Sequence, residues 1–267
     1  VHLSEALYLY EPSGVGKGRD RDRREAEIAR IVSRSPIDAS QPGNGQGRET
    51  DRTGRAPATD HVFTSQELIE RMVASPRHEG FLTLIRHAER PSLAGLARAD
   101  RDAMALTPGG IAQARCFGEG VADMEEILSS PIGRCVQTAE SIASGLARPL
   151  ASIQVCEVLD QDFRLDGERY EALKASLGWK GTVLGWLEGS IPSGILVPHA
   201  VVARRVLSSL RDLRRDRSSR ILAVTHDFLI IAMAASLFGI RTVHVPYLGG
   251  LVLDWDTLEQ FARGGTP

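Results

Sequence analysis

Short apolar runs alternate with helical patterns along the chain from about residue 61 onward. Four of these runs have the length and residue types of β-strands: FLTLIR at 81–86, EEILSS at 125–130, SRILAVTHD at 219–227 and GGLVLDWD at 249–256. Strands that alternate with helices are typical of βα units, which build parallel sheets covered by helices on both faces. The pattern predicts an α/β fold, a three-layer α/β/α sandwich around a mostly parallel sheet.

Two of the predicted helices have recognisable start signals. Thr107 can cap, and Pro108 can open, a helix over LTPGGIAQARCFGEGVA. In PIGRCVQTAESIASGL, Ser130 is the predicted cap and Pro131 the first-turn proline, which places Arg134 near the positive end of the helix. One face of this helix is apolar at helical spacing, with Ile132, Cys135, Val136, Ala139, Ile142 and Ala143.

The later part of the chain predicts two more helices and an insertion. HAVVARRVLSSLRDLRRD has the pattern of a surface helix with a basic outer face, and FLIIAMAASLFG that of a buried helix. Residues 157–195 are less regular, with a short predicted helix in DGERYEALKASLGW and a loop in GSIPSGILVP. An insertion of this kind between core units can lie over a site and determine its specificity.

Residues 1–60 differ from the rest of the chain. GKGRDRDRREAE is a mixed-charge run, and the segment after it is rich in Gly, Pro, Ser and charged residues. Neither has apolar periodicity long enough to bury a face. We predict that residues 1–60 form a disordered leader and that residues 61–267 form the folded domain.

The composition of the 267 residues, 42% hydrophobic and 25% charged, is that of an ordinary globular protein. A formal net charge of -2 gives no basic field for nucleic acid, so any anion site has to be local. No stretch approaches the roughly 18 to 20 apolar residues of a membrane helix. We expect a cytoplasmic protein with neither nucleic acid nor a membrane as partner, and we interpret its three cysteines, which form no C-x-x-C pair, as reduced core thiols.

Two histidines directly follow predicted strands, His87 after FLTLIR and His226 after ILAVT. If these strands are parallel neighbours, their carboxyl ends open into one crevice and the two imidazoles can face each other. Arg134 can reach the same crevice from the start of its helix, and Arg86 and Arg90 flank His87. Such a cluster of cations repels itself unless an anion fills it.

A phosphate monoester suits this cluster. It carries about -1.5 to -2 charges and several acceptor oxygens, which match planar guanidinium groups. A neutral imidazole can attack the phosphorus and form a phosphohistidine, which divides one difficult substitution into two easier ones. The leaving oxygen then needs a proton from a carboxyl group beside the site.

Three motifs, LIRHAER, SSPIGRCVQTAE and VTHD, resemble the three signatures of the histidine phosphatase superfamily, also called phosphoglycerate mutase-like. The motifs occur in the family's order, and the resemblance spans about residues 80–256. It implies a phosphoglycerate mutase-like fold and hydrolysis of a phosphate monoester without a metal or other cofactor. It also implies that His87 is the nucleophile, that His226 steadies the phosphoryl group and that Asp227 donates the proton. The implied phosphate ligands are Arg86, Arg90 and Arg134.

The identity of the proton donor is left open by the sequence. Asp227 matches the His-Asp pair of the acid phosphatase branch, whereas the short core matches the mutase and small-phosphatase branch, whose acid is a glutamate after the second helix. In that region Asp160 is the second choice, and Glu89 lies beside the nucleophile. Ala88 stands where the family usually has Gly, which narrows the space beside His87.

Other functions also stay open. A phosphomutase would return the phosphoryl group to a second hydroxyl, and a non-catalytic phospho-ligand binding module would keep the fold without turnover. A metal site at His87, His226 and Asp227 is disfavoured, because the arginines repel a cation and no H-x-H spacing is present. The P-loop-like segment EPSGVGKG has Glu11 and Gly18 in place of the required Gly and Ser or Thr. The substrate, a phosphorylated small molecule or a phosphoprotein, and the oligomeric state are not determined.

Overall fold

A computed structural model of the chain describes residues 62–76, 78–92, 98–121, 124–146, 153–160, 163–192 and 194–263. The predicted disordered leader lies outside the described residues, and both it and the domain boundary at residue 61 stay predictions. Within the described ranges, no helix is long and apolar enough to cross a membrane.

A five-stranded sheet forms the centre of the described residues. Its strands are β1 (Phe81–Arg86), β2 (Glu126–Ser129), β3 (Ile153–Val155), β4 (Arg220–Thr225) and β5 (Gly250–Asp254). They lie in the order β3-β2-β4-β1-β5, and all neighbours are parallel except β5, which runs antiparallel to β1. The prediction of a mostly parallel sheet is therefore confirmed.

The described residues include eight α-helices, seven of which cover the two faces of the sheet. They are α1 (Ser65–Ala74), α2 (Arg98–Ala103), α3 (Pro108–Gly120), α4 (Gly133–Gly145), α5 (Gly167–Leu187), α6 (His199–Asp212), α7 (Asp227–Phe238) and α8 (Trp255–Ala262). One apolar core joins the sheet to α5, α6, α7 and α8, and a second joins its other face to α1, α3 and α4. Since β1 and β4 are buried along their whole length, the chain has the predicted three-layer α/β/α architecture.

The observed helix starts agree with the sequence at α3 and differ from it at α4. Thr107 caps α3 by accepting a hydrogen bond from a first-turn backbone N–H, and Pro108 is the first helical residue. Contrary to prediction, Ser130 does not cap α4, which begins at Gly133 without a side-chain cap. The chain needs the intervening residues to turn from β2 into the helix, and the Ser130 hydroxyl lies instead against His226.

Two other interpretations of the sequence need correction. The insertion is more helical than predicted, because α5 continues for 21 residues. A break at Gly178, where φ is +67°, divides α5 in two, and glycine adopts this left-handed conformation without steric cost. All three cysteines are free thiols, but only Cys135 is fully buried, and Cys116 is exposed rather than part of the core.

Candidate active site

The two strand-end histidines meet because their strands pair in register. Arg86 of β1 lies opposite Thr225 of β4, so the next residue of each strand is a histidine. The backbone N–H of His87 continues the ladder by donating to the Thr225 carbonyl at 2.9 Å. The ring centroids of His87 and His226 are 5.5 Å apart, with the rings at 72° to each other. Both histidines are buried, with 3% and 1% of their surface exposed.

Arg134 connects the two imidazoles. It is the second residue of α4, and its side chain is buried beneath the carboxyl ends of β1 and β4. Its Nε donates to Nε2 of His87 and its Nη2 to Nδ1 of His226, both at 3.3 Å. The remaining Nη1 donates to the main-chain carbonyl of Arg101 at 3.0 Å. The planar guanidinium group thus holds both rings in a fixed relation.

The hydrogen bonds of His87 define which nitrogen can react. Its Nδ1 is 2.8 Å from the carbonyl oxygen of Ala88, which only accepts, so Nδ1 carries the ring proton. Nε2 then carries the lone pair of the ring, which accepts a hydrogen bond from Arg134. Burial, together with the positive charges of Arg134 and Arg86, holds the pKa of His87 well below its usual range. His87 is therefore neutral near pH 7, as a nucleophilic imidazole has to be.

Burial also holds the pKa of His226 well below its usual range, and the nearby His87 and Arg134 lower it further. Its ring lies between Arg134 on one side and the hydroxyl of Ser130, 3.2 Å from Nε2, on the other. Because arginine side chains donate and never accept, Nδ1 of His226 accepts from Arg134. The second imidazole is thus also neutral and fixed at both nitrogens.

Arg86 and Arg90 lie on the other side of His87. The guanidinium group of Arg86 pairs with the carboxylate of Asp227 at 3.2 Å and stacks on the ring of Tyr247, 4.3 Å from its centroid. Arg90 donates from Nη1 to the carbonyl of Pro91 at 2.9 Å. The Nε atoms of both arginines are buried and form no hydrogen bond with any described residue. Both arginines therefore retain N–H donors for an anion. We use the name inner cluster for five residues: Arg86, His87, Arg90, Arg134 and His226.

A cavity of about 670 Å³ opens from the inner cluster. Asp227, the first residue of α7, lines it beside Arg86. Further out, six side chains form what we call the outer wall: Arg101, Tyr170, Glu171, Lys174, Trp179 and His244. Four of these belong to α5, so the insertion lies over the site as the sequence indicated. His244, interpreted from sequence as a surface or structural histidine, is an exposed residue of this wall.

The other two carboxylates considered as proton donors do not line this cavity. The Glu89 carboxylate accepts a hydrogen bond from the Thr107 hydroxyl at 2.9 Å, at the start of α3. Asp160 follows a single turn of 3-10 helix, Glu157–Leu159, after the edge strand β3. Among the described residues, no three histidine, cysteine or carboxylate side chains are grouped so that they can hold a metal ion.

Sequence reasoning missed two contributors to the site. Tyr247, which stacks on Arg86, follows no strand and belongs to no motif, so no local signal marks it. Thr138 lies one turn after Arg134 in α4, and its hydroxyl accepts the backbone N–H of Ala88 at 3.0 Å. The threonine stands on the same helical face as Arg134, which is a signal that the sequence does contain.

Residues 82–259 match the family described as the histidine phosphatase superfamily (branch 1). Among curated proteins, none matches the chain. The match includes the six residues to which the resemblance gives a role. It begins within β1 and ends within α8, so it covers all five strands apart from Phe81 and leaves out α1.

Several solved structures are similar in fold. A phosphoglycerate mutase from Bacillus anthracis str. Sterne is 16% identical, with a TM-score of 0.50 over 69% of this chain and 98% of its own. The protein histidine phosphatase SixA, complexed with tungstate, is 17% identical, with a TM-score of 0.41 over 67% and 99%. A phosphoserine phosphatase from Entamoeba histolytica, in complex with 3-phosphoglyceric acid, is 22% identical, with a TM-score of 0.45 over 65% and 88%. The likeness to the mutase shows that the fold is phosphoglycerate mutase-like.

Proposed function

The chain belongs to the histidine phosphatase superfamily, and from this membership and the site geometry we propose that it hydrolyses a phosphate monoester through a phosphohistidine on His87. The observation that carries the proposal is the bridge of Arg134 between two buried, neutral imidazoles. It leaves a nucleophilic nitrogen and a guanidinium fork facing the same small volume, beside two further arginines.

In the first step, Nε2 of His87 attacks the phosphorus and the bond from phosphorus to the ester oxygen breaks. Asp227 gives the leaving oxygen its proton, and the alcohol departs. Before the substrate binds, Asp227 is the carboxylate that pairs with Arg86 at 3.2 Å. When the phosphate oxygens displace Asp227 from the guanidinium group, Asp227 takes up the proton of the monoanionic ester, and this is the proton that it gives to the leaving oxygen. Nδ1 of His87 keeps its proton throughout the reaction and donates it in a hydrogen bond to the Ala88 carbonyl.

In the second step, water attacks the phosphorus and gives its proton to the Asp227 carboxylate. The bond from Nε2 to phosphorus then breaks, and inorganic phosphate takes the proton from Asp227 and leaves. His87 thereby returns to its neutral form, and Asp227 returns to the carboxylate that pairs with Arg86. Fixed positive charge from Arg86, Arg90 and Arg134 stabilises the equatorial oxygens in both transition states. Such preorganised electrostatics supply most of the rate enhancement in phosphoryl transfer, and neither step uses a metal.

The substrate is a phosphorylated small molecule or a phosphoprotein side chain. A cavity of about 670 Å³ is far larger than a phosphate group, so the outer wall also contacts the group that carries the phosphate. Arg101 and Lys174 share one carboxylate there, Glu171, at 3.0 and 2.6 Å. The local excess of positive charge favours a substrate with further polar or anionic groups.

The same observation favours phosphomutase activity as a second candidate. Basic side chains in the outer wall can hold a phosphorylated acid in two orientations, so that His87 returns the phosphoryl group to a different hydroxyl. Incubation with 3-phosphoglyceric acid and 31P NMR separates the two activities. A phosphatase releases inorganic phosphate, whereas a mutase produces the isomeric monoester without net release.

The proposed function is tested by turnover of p-nitrophenyl phosphate with EDTA present. We expect the wild-type protein to keep its activity and His87→Ala to lose at least about 10³-fold. His244→Ala is the matched control, since it removes an exposed histidine from the same cavity, and it should retain activity. Loss of wild-type turnover in EDTA would instead indicate a metal enzyme. Binding of tungstate without any turnover would indicate a binding module.

A further inference from the structure

Ser130 lies directly beneath the second histidine of the site. Its side chain is fully buried at the end of β2, and its hydroxyl oxygen is 3.2 Å from Nε2 of His226. The proposed reaction steps give this hydroxyl no part. Because the other ring nitrogen of His226 faces Arg134, the ring has one partner that only donates and one that can donate or accept.

In the arrangement seen here, the ring proton of His226 is on Nε2. Arg134 occupies the lone pair of Nδ1, and a neutral imidazole carries a single N–H. Nε2–H therefore donates to Ser130, which also receives a weaker bond from the backbone N–H of Ile132 at 3.4 Å. The hydroxyl accepts in both contacts.

A phosphate group bound against Arg134 changes the hydrogen-bonding group that Nδ1 of His226 has to present, from an acceptor to a donor. A phosphoryl oxygen is an acceptor, and it repels a lone pair on Nδ1. His226 can present N–H there by gaining a second proton or by moving the one it has. Burial among arginines opposes the second charge, and this is also why the pKa of His226 is held well below its usual range.

We propose that Ser130 is a positioning residue that lets His226 exchange tautomers when a phosphate group binds. The hydroxyl accepts from Nε2–H in the present arrangement and donates to Nε2 in the complex, so that Nδ1–H faces a phosphoryl oxygen. Both arrangements hold the same number of protons and the same net charge. The inference rests on the proposed function, since it requires an oxyanion beside the two histidines.

The second group near Nε2 cannot replace the hydroxyl. The sulfur of Cys135 is 3.6 Å from Nε2 of His226, and it is also 3.6 Å from the carbonyl oxygen of Thr225, to which the S–H can donate. Burial raises the pKa of this thiol to about 12, so it stays protonated and is only a weak partner. Among the described residues, Ser130 is the strong partner that suits both tautomers.

The direct test is 15N NMR of protein labelled in its histidines, recorded with and without tungstate as a tetrahedral oxyanion. His226→Gln identifies the signals of this ring. In the free protein we expect Nε2 of His226 to be protonated and Nδ1 to be unprotonated. When tungstate is added, we expect Nδ1 to become protonated and Nε2 to lose its proton. An unchanged tautomer, or a ring protonated at both nitrogens, overturns the inference. If tungstate alters no histidine signal, the oxyanion site itself is wrong, and with it the proposed function.

Variants separate this effect from a structural one. In Ser130→Ala, Nε2 of His226 has no hydroxyl partner. Its N–H is left without an acceptor in the free protein, and its lone pair is left without a donor in the phosphate complex. We therefore expect kcat/KM to fall about ten- to a hundredfold. The matched control is Ser129→Ala, because Ser129 is equally buried but its hydroxyl donates to the Ser130 carbonyl at 2.8 Å. It should leave the tungstate-dependent exchange intact. Ser130→Thr keeps the hydroxyl and should restore the exchange, and equal losses in the two alanine variants would contradict the proposal.

Discussion

The outer wall and the inner cluster, apart from His226, line one cavity, but the two sets of residues are held in different ways. His87 and Arg134 are 3% and 5% exposed, and their contacts include main-chain carbonyls of Ala88 and Arg101. In the outer wall, the side chain of Glu171 is 42% exposed and is positioned by two other side chains. The geometry of the cluster therefore follows from the fold, whereas that of the wall depends on the identity of a few replaceable residues.

This difference indicates a division of labour. Main-chain contacts and burial keep the groups that we propose to react in place whatever the substrate carries, as preorganised electrostatics require. Side-chain pairs at the cavity mouth rearrange at low free-energy cost, since exposed ion pairs stabilise by under about 1 kcal/mol. Changes in the inner cluster should reduce all turnover, and changes in the outer wall should alter the preference among substrates.

After the loss expected for His87→Ala, the largest expected effect is that of Arg134→Lys. A lysine keeps the positive charge but lacks the planar guanidinium group with its several N–H donors, so it cannot contact both imidazoles and a phosphate at the same time. We expect kcat/KM to fall about 10²- to 10³-fold. Arg101→Lys is the matched control in the outer wall. This substitution leaves the main-chain carbonyl of residue 101, to which Arg134 donates, in place. It should lower kcat/KM by less than about tenfold. Similar losses in the two variants would remove the distinction between the regions.

Asp227→Asn should have the next largest effect. If Asp227 is the proton donor, kcat/KM, which reports the first step and not the later attack by water, falls about 10²-fold with an alkyl phosphate. With p-nitrophenyl phosphate, whose leaving group needs no proton, it falls under about tenfold. Asp160→Asn and Glu89→Gln are the controls, since neither residue lines the cavity. A selective loss in either control would transfer the proton-donor assignment to that carboxylate.

The sequence predicted the inner cluster better than the outer wall, for a physical reason. Four of the five inner residues stand at a strand end or in a helix start, and parallel strands bring such positions together. The fifth, Arg90, follows the end of β1 by four residues. The outer wall joins α2, α5 and the loop before β5, which are far apart in the chain. No periodicity predicts such contacts between side chains.

Short elements were missed for a related reason. β3 has three residues and α2 six, which is too few for a pattern to stand out. α1 was also missed, although Thr64 and Glu67 form a capping box at its start. The role of Ser130 was misjudged because a serine before a proline is typical of a helix cap, and only the packing of β2 beside β4 brings its hydroxyl to His226.

Stability should depend on pH through the inner cluster. Burial lowers the pKa of His87 and His226 from 6.5, so the unfolded chain binds more protons than the folded protein once the pH falls below 6.5. The free energy of unfolding should then fall, by up to about 1.4 kcal/mol per histidine and pH unit.

Urea denaturation at pH 7.5, 6.5 and 5.5 measures this decrease, and His226→Gln should reduce it. His199, whose pKa burial also lowers, contributes in the same direction and is present in both proteins. A decrease of the same size in the wild type and the variant would mean that His226 is not buried in its neutral form.

The smallest expected effects are those of Trp179→Ala and Lys174→Ala in the outer wall. Trp179 is 37% exposed, and its indole N–H donates to the Val243 carbonyl at 3.0 Å across the cavity mouth. We expect kcat with p-nitrophenyl phosphate to be nearly unchanged, and KM for larger substrates to change by up to about tenfold. A panel of phosphate monoesters measures this, and a uniform loss on every substrate would contradict a role in selection.

The most direct test of the account is to trap the reaction intermediate and locate it in the chain. The protein is mixed with a 32P-labelled phosphate monoester, quenched in alkali, in which phosphohistidine survives, and digested into peptides. We predict an acid-labile label on the peptide that contains His87, and none in His87→Ala. Label on any other residue, or turnover without a labelled protein, would contradict the central claim.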